Sequence, residues 1–116
     1  MADIKTLILT KNNLQSYYNV QVKNSSGAVV DITGATIYCK MKLIGSSMLK
    51  INRQTTGIYI TDAVNGKFEY HWQAGDTDTI GTYDIQFEIQ PPSGGRFDVP
   101  KIGIAKVVIA DSLDGI

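Results

Sequence analysis

Apolar and polar residues alternate with a period of two along much of this chain, the mark of strands that bury one face and wet the other. From Ala35 to Leu43 the apolar set Ala35, Ile37, Cys39, Met41 and Leu43 interleaves with Thr36, Tyr38, Lys40 and Lys42. Lys67 to Trp72 repeats the pattern, with Phe68, Tyr70 and Trp72 on one side and Lys67, Glu69 and His71 on the other. Thr82 to Gln90 is the clearest instance: Tyr83, Ile85, Phe87 and Ile89 alternate with Thr82, Asp84, Gln86, Glu88 and Gln90. A slip of one residue in any of these strands would turn its apolar set into water.

Shorter runs predict further strands at Lys5 to Thr10, Tyr17 to Lys23, Ala28 to Ile32, Met48 to Asn52, Gly57 to Thr61, Arg96 to Val99 and Ile102 to Ala110. Turn-forming residues punctuate them at Asn24 to Gly27, Thr33-Gly34, Gly45 to Ser47, Asn65-Gly66, Asp76 to Gly81 and Pro91 to Gly95. Gly, Asn, Asp, Pro and Ser supply the dihedral angles that strand residues avoid, and turns about every ten residues are the rhythm of a sandwich or barrel. Asn65-Gly66 predicts a hairpin between Ile58 to Thr61 and Phe68 to Trp72, since both residues tolerate positive φ. No stretch has sustained helical spacing. One sheet could not cover both of its faces with so little chain, so the expected architecture is all-β: two packed sheets of three to five strands each.

The length of 116 residues suits a single domain spanning residues 1–116. An apolar fraction of 43% and a charged fraction of 19% are those of a folded chain. Acidic and basic residues balance at 11 each, leaving no net field to neutralise phosphates, so nucleic acid is not an expected partner. Cys39 is the only cysteine; it excludes an internal disulfide, fits a reducing compartment, and falls on the buried phase of its strand as a small hydrophobe. Met1 to Thr10 lacks the apolar core and cleavage pattern of a secretion signal, so the mature chain is expected to begin at Met1. No window approaches the roughly 18 apolar residues of a spanning helix, and no membrane association is expected.

No catalytic residue, cofactor or metal site is predicted. A hydrolytic triad needs a His base, and the single His71 falls on the outward phase of its strand, where a solvated surface role is expected. One Cys and one His cannot supply a zinc site. Asp76, Asp78, Asp111 and Asp114 lack the ordered spacing of a calcium loop, and turns use Asp for backbone hydrogen bonds. Gly94-Gly95 lies between strands and opens no helix that could cradle phosphate. Asp84 and Glu88 share the outward phase of one strand with no visible pocket, and are read as a wet face rather than a glycosidase pair. The ambiguous feature is Tyr17, Tyr38 and Tyr59, which fall out of phase with their strands' apolar sets. Either they pack against cross-strand neighbours or they form an interface patch for protein or sugar.

Val30-Asp31-Ile32-Thr33-Gly34-Ala35-Thr36-Ile37 resembles the "DLTGATV" segment of the BppU family, the N-terminal domain of phage baseplate upper proteins. Ile60-Thr61-Asp62 followed by Gly66-Lys67-Phe68-Glu69-Tyr70-His71-Trp72 is similar to that family's I/V-x-D then G-x-V/F-x-Y-x-W stretch. Asp76-Thr77-Asp78-Thr79-Ile80-Gly81-Thr82-Tyr83 resembles its D-T-x-x-x-G-x-Y run, and Pro100 before the last strand fits as well. These matches run in order from Val30 to Ile109, some two thirds of the chain. The Asp-Gly-Tyr spacing is also similar to the tyrosine corner of immunoglobulin domains, whose ring packs inside while its hydroxyl ties down the preceding turn. Here the Asp stands one residue further from Tyr83 than in antibodies, and Ile85 takes the place of the usual cysteine, which points to a disulfide-free sandwich made inside a cell.

With no catalytic set among the chain's residues, no enzymatic activity is expected; the resemblance implies that the two-sheet β-sandwich is immunoglobulin-like. It implies a virion protein of the baseplate or tail, assembled in the bacterial host cytoplasm and bound to other phage structural proteins or to further copies of itself. Larger members continue into fibre or receptor-side modules, whereas this chain ends at Asp111 to Ile116, so the sandwich alone is expected to perform the docking. The alternative is a carbohydrate-binding β-sandwich module in which Tyr17, Tyr38 and Tyr59 form a stacking platform. Against it, the only tryptophan, Trp72, lies on a buried phase.

Overall fold

In a computed structural model of the protein, residues 6–99 and 105–111 are described. Pro100, Ile102 to Ile104 and Asp114, which figure in the expectations above, lie outside them. The described residues form β1 (Thr6–Thr10), β2 (Tyr18–Gln21), β3 (Thr36–Leu43), β4 (Leu49–Gln54), β5 (Ile58–Asp62), β6 (Lys67–Tyr70), β7 (Gly81–Gln90), β8 (Phe97–Val99) and β9 (Lys106–Ala110), with no helix among them.

The ten-residue β7 organises the larger sheet. One flank pairs antiparallel with β3 along eight positions, from Thr36 opposite Gln90 to Leu43 opposite Tyr83. The other flank is shared end to end: Gly81 to Asp84 pair with β9, and Phe87 to Ile89 with β8. With β4 beyond β3 and β1 parallel to β9, this sheet has six strands in the order β1-β9-β7-β3-β4, with β8 beside β7. The larger count than three to five follows from one long strand seating two short neighbours on a single flank. The second sheet has the order β2-β6-β5. Strands β9, β7, β3 and β4 thus stand where G, F, C and C′ stand in an immunoglobulin domain, and β2, β6 and β5 where B, E and D stand. The protein is an all-β, two-sheet immunoglobulin-like β-sandwich.

The alternating apolar sets close the core. Ile37, Cys39, Met41, Phe68, Tyr70, Trp72, Tyr83, Ile85, Phe87 and Ile89 are all buried. Phe87 links the layers: its ring meets Phe68 edge-on at 5.0 Å and tilts against Tyr18 at 5.8 Å, both from the smaller sheet. Such aromatic pairs add about 0.5–1.5 kcal/mol each beyond area burial. Tyr83 forms the tyrosine corner, its ring buried and its hydroxyl donating to the Thr79 carbonyl at 2.7 Å. Trp72 donates its indole N–H to the Ser16 carbonyl, tying the entry of β2 to the exit of β6.

Two local expectations are corrected. Ala28 to Ile32 is not a strand; Val29 makes a single bridge to Lys23. The Asn24 side chain accepts the N–H groups of Ser26 and Ala28, and the Asp31 carboxylate accepts those of Thr33. These two turn motifs leave too little extended chain between them for a ladder. The β5–β6 hairpin forms, but it closes over four residues, with the Gly66 N–H donating to the Ala63 carbonyl at 3.0 Å. Only Gly66 of the Asn65-Gly66 pair has positive φ, at 71°.

A Cβ on Gly66 would stand 2.5 Å from the Val30 carbonyl oxygen and 2.9 Å from that of Val22. Gly66→Ala therefore combines backbone strain with a clash against rigid main chain, and should lower unfolding free energy by about 2 kcal/mol or more in chemical denaturation. Cys39 is fully buried, and burial, followed by the nearby charge of Asp76, pushes its thiol pKa well up. It should stay unreactive toward a disulfide-exchange reagent in native buffer and react stoichiometrically once denaturant is added.

Candidate functional site

On the smaller sheet the buried phase Tyr18, Val20, Phe68 and Tyr70 turns the intervening residues outward. Asn19, Glu69 and Tyr59 stand in one row across β2, β6 and β5. Tyr17 and His71 extend that face by one step each, because side chains two apart share a face. His71 lies between two of the predicted interface residues. Its ring stacks on Tyr17 at 3.6 Å with an interplanar angle of 6°, and Tyr59 approaches it at 4.2 Å. The Glu69 carboxylate holds the His71 Nε2 at 2.6 Å. The expectation of a simply solvated His71 is corrected: two rings and a carboxylate cover much of it. Tyr17 and Tyr59 remain 42% and 55% exposed, so the cluster presents aromatic surface at a fixed position.

Tyr38, the third predicted residue, sits on the opposite side of the sandwich. It stands opposite Glu88 in the β3–β7 ladder, and Glu88 in turn stands opposite Asp98 of β8. Three tyrosines on one platform are therefore not what the fold assembles: two share the smaller sheet's outer face and one lies on the larger sheet's.

The larger sheet's outer face carries an ionic cluster. Glu88 was expected on a wet strand face, yet its side chain is 0% exposed. Arg53 grips its carboxylate through Nε and Nη2, at 3.0 and 2.9 Å. Gln90 donates to it at 2.6 Å and Arg96 at 3.3 Å. Lys40 lies 3.8 Å away and bonds Asp98 at 2.7 Å. The carboxylate is thus covered by its own partners rather than by the core. Its pKa is pulled down to about 2, chiefly by hydrogen bonding from Arg53, which outweighs the opposing effect of desolvation.

Arg53 reaches this position through an irregularity in β4. Cys39 pairs with Gln54 and Met41 with Ile51, so Asn52 and Arg53 together oppose Lys40 as a β-bulge. Arg53 has φ of 47°, in the left-handed region where non-glycine residues are strained. The bulge swings its guanidinium over the Tyr38 ring, 4.3 Å from the centroid, and onto Glu88. Further along the same face, Asp84 pairs with Lys106 at 3.2 Å, so Asp84 and Glu88 are each held by cations and form no acid pair.

The remaining buried polar cluster is architectural. Asp76 and Thr77 stand in a turn, as expected, and both are buried. Tyr70 donates to Asp76, which also accepts the Gln73 N–H at 2.8 Å, while Gln54 donates to the Tyr70 hydroxyl at 2.9 Å. Among the described residues no group of three or more His, Cys, Asp or Glu side chains is arranged to share a metal ion. Glu88 carried no sequence signal for its burial, because Arg53 reaches it from 35 residues away, whereas the partners of Asp76, Tyr70 and Gln73, stand only six and three residues before it and nothing in their spacing marks the contact. No protein-family model and no curated protein matches this chain.

The depressed pKa of Glu88 ties stability to pH. An unfolded Glu titrates near pH 4.3, so the stabilisation Glu88 contributes is complete above that value and is lost as pH falls through about 2. Glu88→Gln, which cannot ionise, should lower the denaturation midpoint at neutral pH. It should also flatten the decline of that midpoint between roughly pH 5 and 2, a comparison made by urea titration of both proteins across that range.

Proposed function

We propose that this domain is a non-catalytic structural protein of a phage or prophage virion, associated with the baseplate or tail, that works by binding neighbouring structural subunits. The observation that carries the assembly reading is the Tyr17–His71–Tyr59 cluster, aromatic surface fixed on an open sheet face. Tyrosine is enriched where protein interfaces concentrate their energy, because it offers a large contact area at small entropic loss. The virion assignment rests on the resemblance of Val30 to Ile37, Ile60 to Trp72 and Asp76 to Tyr83 to baseplate upper proteins. Many copies on a symmetric particle would let a modest interface hold, since avidity multiplies weak contacts. The carbohydrate-binding alternative loses Tyr38 from its platform and keeps only the Tyr17–Tyr59 pair.

Particles purified from the parent phage or induced prophage should contain this chain by mass spectrometry. Its complete absence from them would overturn the virion reading. The double variant Tyr17→Ala, Tyr59→Ala should keep the strand signature in circular dichroism and lose particle association by about tenfold or more. Full retention of that variant would remove the aromatic face from the assembly, and glycan-array hits abolished by the same double change would favour the sugar reading instead.

A further inference from the structure

We infer that the outer face of the larger sheet, centred on Tyr38, Arg53 and Arg96, docks a carboxylate-bearing segment of a partner protein. This rests on the reading that the domain acts by protein assembly, and it names the chemistry of one partner. Among the described residues, the side chains of Lys40, Arg53 and Arg96 surround two carboxylates, those of Glu88 and Asp98. Lys42 and Lys106 follow along the same face, where Asp84 is the one further carboxylate in their row. Positive charge is therefore in excess here although the chain as a whole is neutral.

The excess sits on groups suited to recognition. A guanidinium has five N–H donors, and Glu88 takes two from Arg53 and one from Arg96. The two arginine side chains remain 46% and 58% exposed. Arg53 is held from below by Glu88 and backed by the Tyr38 ring, so little of its freedom is left to lose on binding. The strained bulge that aims it is a local expense offset elsewhere in the fold, the kind of outlier that points to a use for the side chain. Beside the cluster, Lys40, Lys42, Asp84 and Gln86 line a shallow groove with the apolar side chain of Leu49, 42% exposed. Carboxylates bound by Arg53, Arg96 and Lys42, with an apolar residue set on Leu49, describe an acidic segment with an apolar anchor. A nucleic-acid strand fits less well, because its phosphates, spaced about 3.4 Å per strand, would also fall against Asp84 and Asp98.

The test is a titration of the isotope-labelled full chain, at low ionic strength, with a short capped peptide of glutamate and serine carrying one central leucine. The expected result is chemical-shift change at Tyr38, Asn52, Arg53 and Arg96 and at the arginine Nε–H signals, saturating by about 1 mM peptide and suppressed by salt. Arg96→Gln should weaken binding about tenfold, and Lys42→Glu, which breaks no ion pair among the described residues, should weaken it by a similar factor. Arg53→Gln should do so too, with unchanged shifts in the core strands as the check that the fold survives. The inference is overturned by any of three results: no shifts at millimolar peptide, equal binding of a glutamine version of the peptide, or tighter binding of an oligodeoxythymidine. Particle association without peptide binding would sink this inference and leave the assembly reading intact; peptide binding by a chain absent from particles would do the reverse to the virion assignment.

Discussion

The structure depends on one constraint: β7 must satisfy two flanks and two faces at once. Its inward residues Tyr83, Ile85, Phe87 and Ile89 are fully sequestered, and Phe87 carries the aromatic contacts that join the sheets. Its outward residues cannot simply be wet, because β3 on one side and β8 on the other bring charged side chains alongside Glu88. A carboxylate in that position has either to be solvated or to be met by cations. Arg53, Arg96, Gln90 and Lys40 meet it, Arg53 by way of the bulge in β4. In place of the disulfide that clamps antibody domains, this sandwich is held by an aromatic contact inside and an ionic clamp outside.

That division also separates what the sequence makes legible from what it does not. Period-two patterning is a property of single strands, so the inward faces of β3, β6 and β7 were readable residue by residue. The burial of Glu88 and Asp76 was not. Alternation says which way a side chain points and is silent on what comes to cover it. Arg53 lies 35 residues from Glu88, and its reach depends on a bulge that leaves no mark in composition. His71 was correctly placed outward, but the two rings around it arrive from β5 and from the segment before β2, a juxtaposition only the sheet order reveals. Turn chemistry was legible at Gly66 and misjudged at Ala28 to Ile32, where side-chain hydrogen bonds from Asn24 and Asp31 compete with strand formation.

The residues that carry the phage resemblance hold the fold together. Asp31 closes the turn before β3; Phe68, Tyr70 and Trp72 fill the core; Asp76 caps the Tyr70 hydroxyl; Tyr83 makes the corner. Motifs of this kind speak about architecture, and architecture is shared by proteins of many functions. A reading of what such a domain binds has to come from side-chain surface that the fold leaves exposed. That surface is the exposed part of the aromatic cluster on one face and of the arginine cluster on the other, where the Arg53 and Arg96 side chains stay 46% and 58% open to solvent beyond their bonds to Glu88.

The two faces differ in what they can pair with. A two-fold contact places a patch against its own copy, so joining two larger-sheet faces would set Arg53 and Arg96 against the same cations and be opposed by like charge. The aromatic face shows no comparable cluster of cations among the described residues, so two copies can meet there through Tyr17 and Tyr59 without that repulsion. Sheets in a sandwich lie about 10 Å apart, so the two faces look in opposite directions across a thin layer. A domain built this way can be held between two neighbours at once: a second copy or an apolar-aromatic subunit on the tyrosine side, and an acidic subunit on the arginine side.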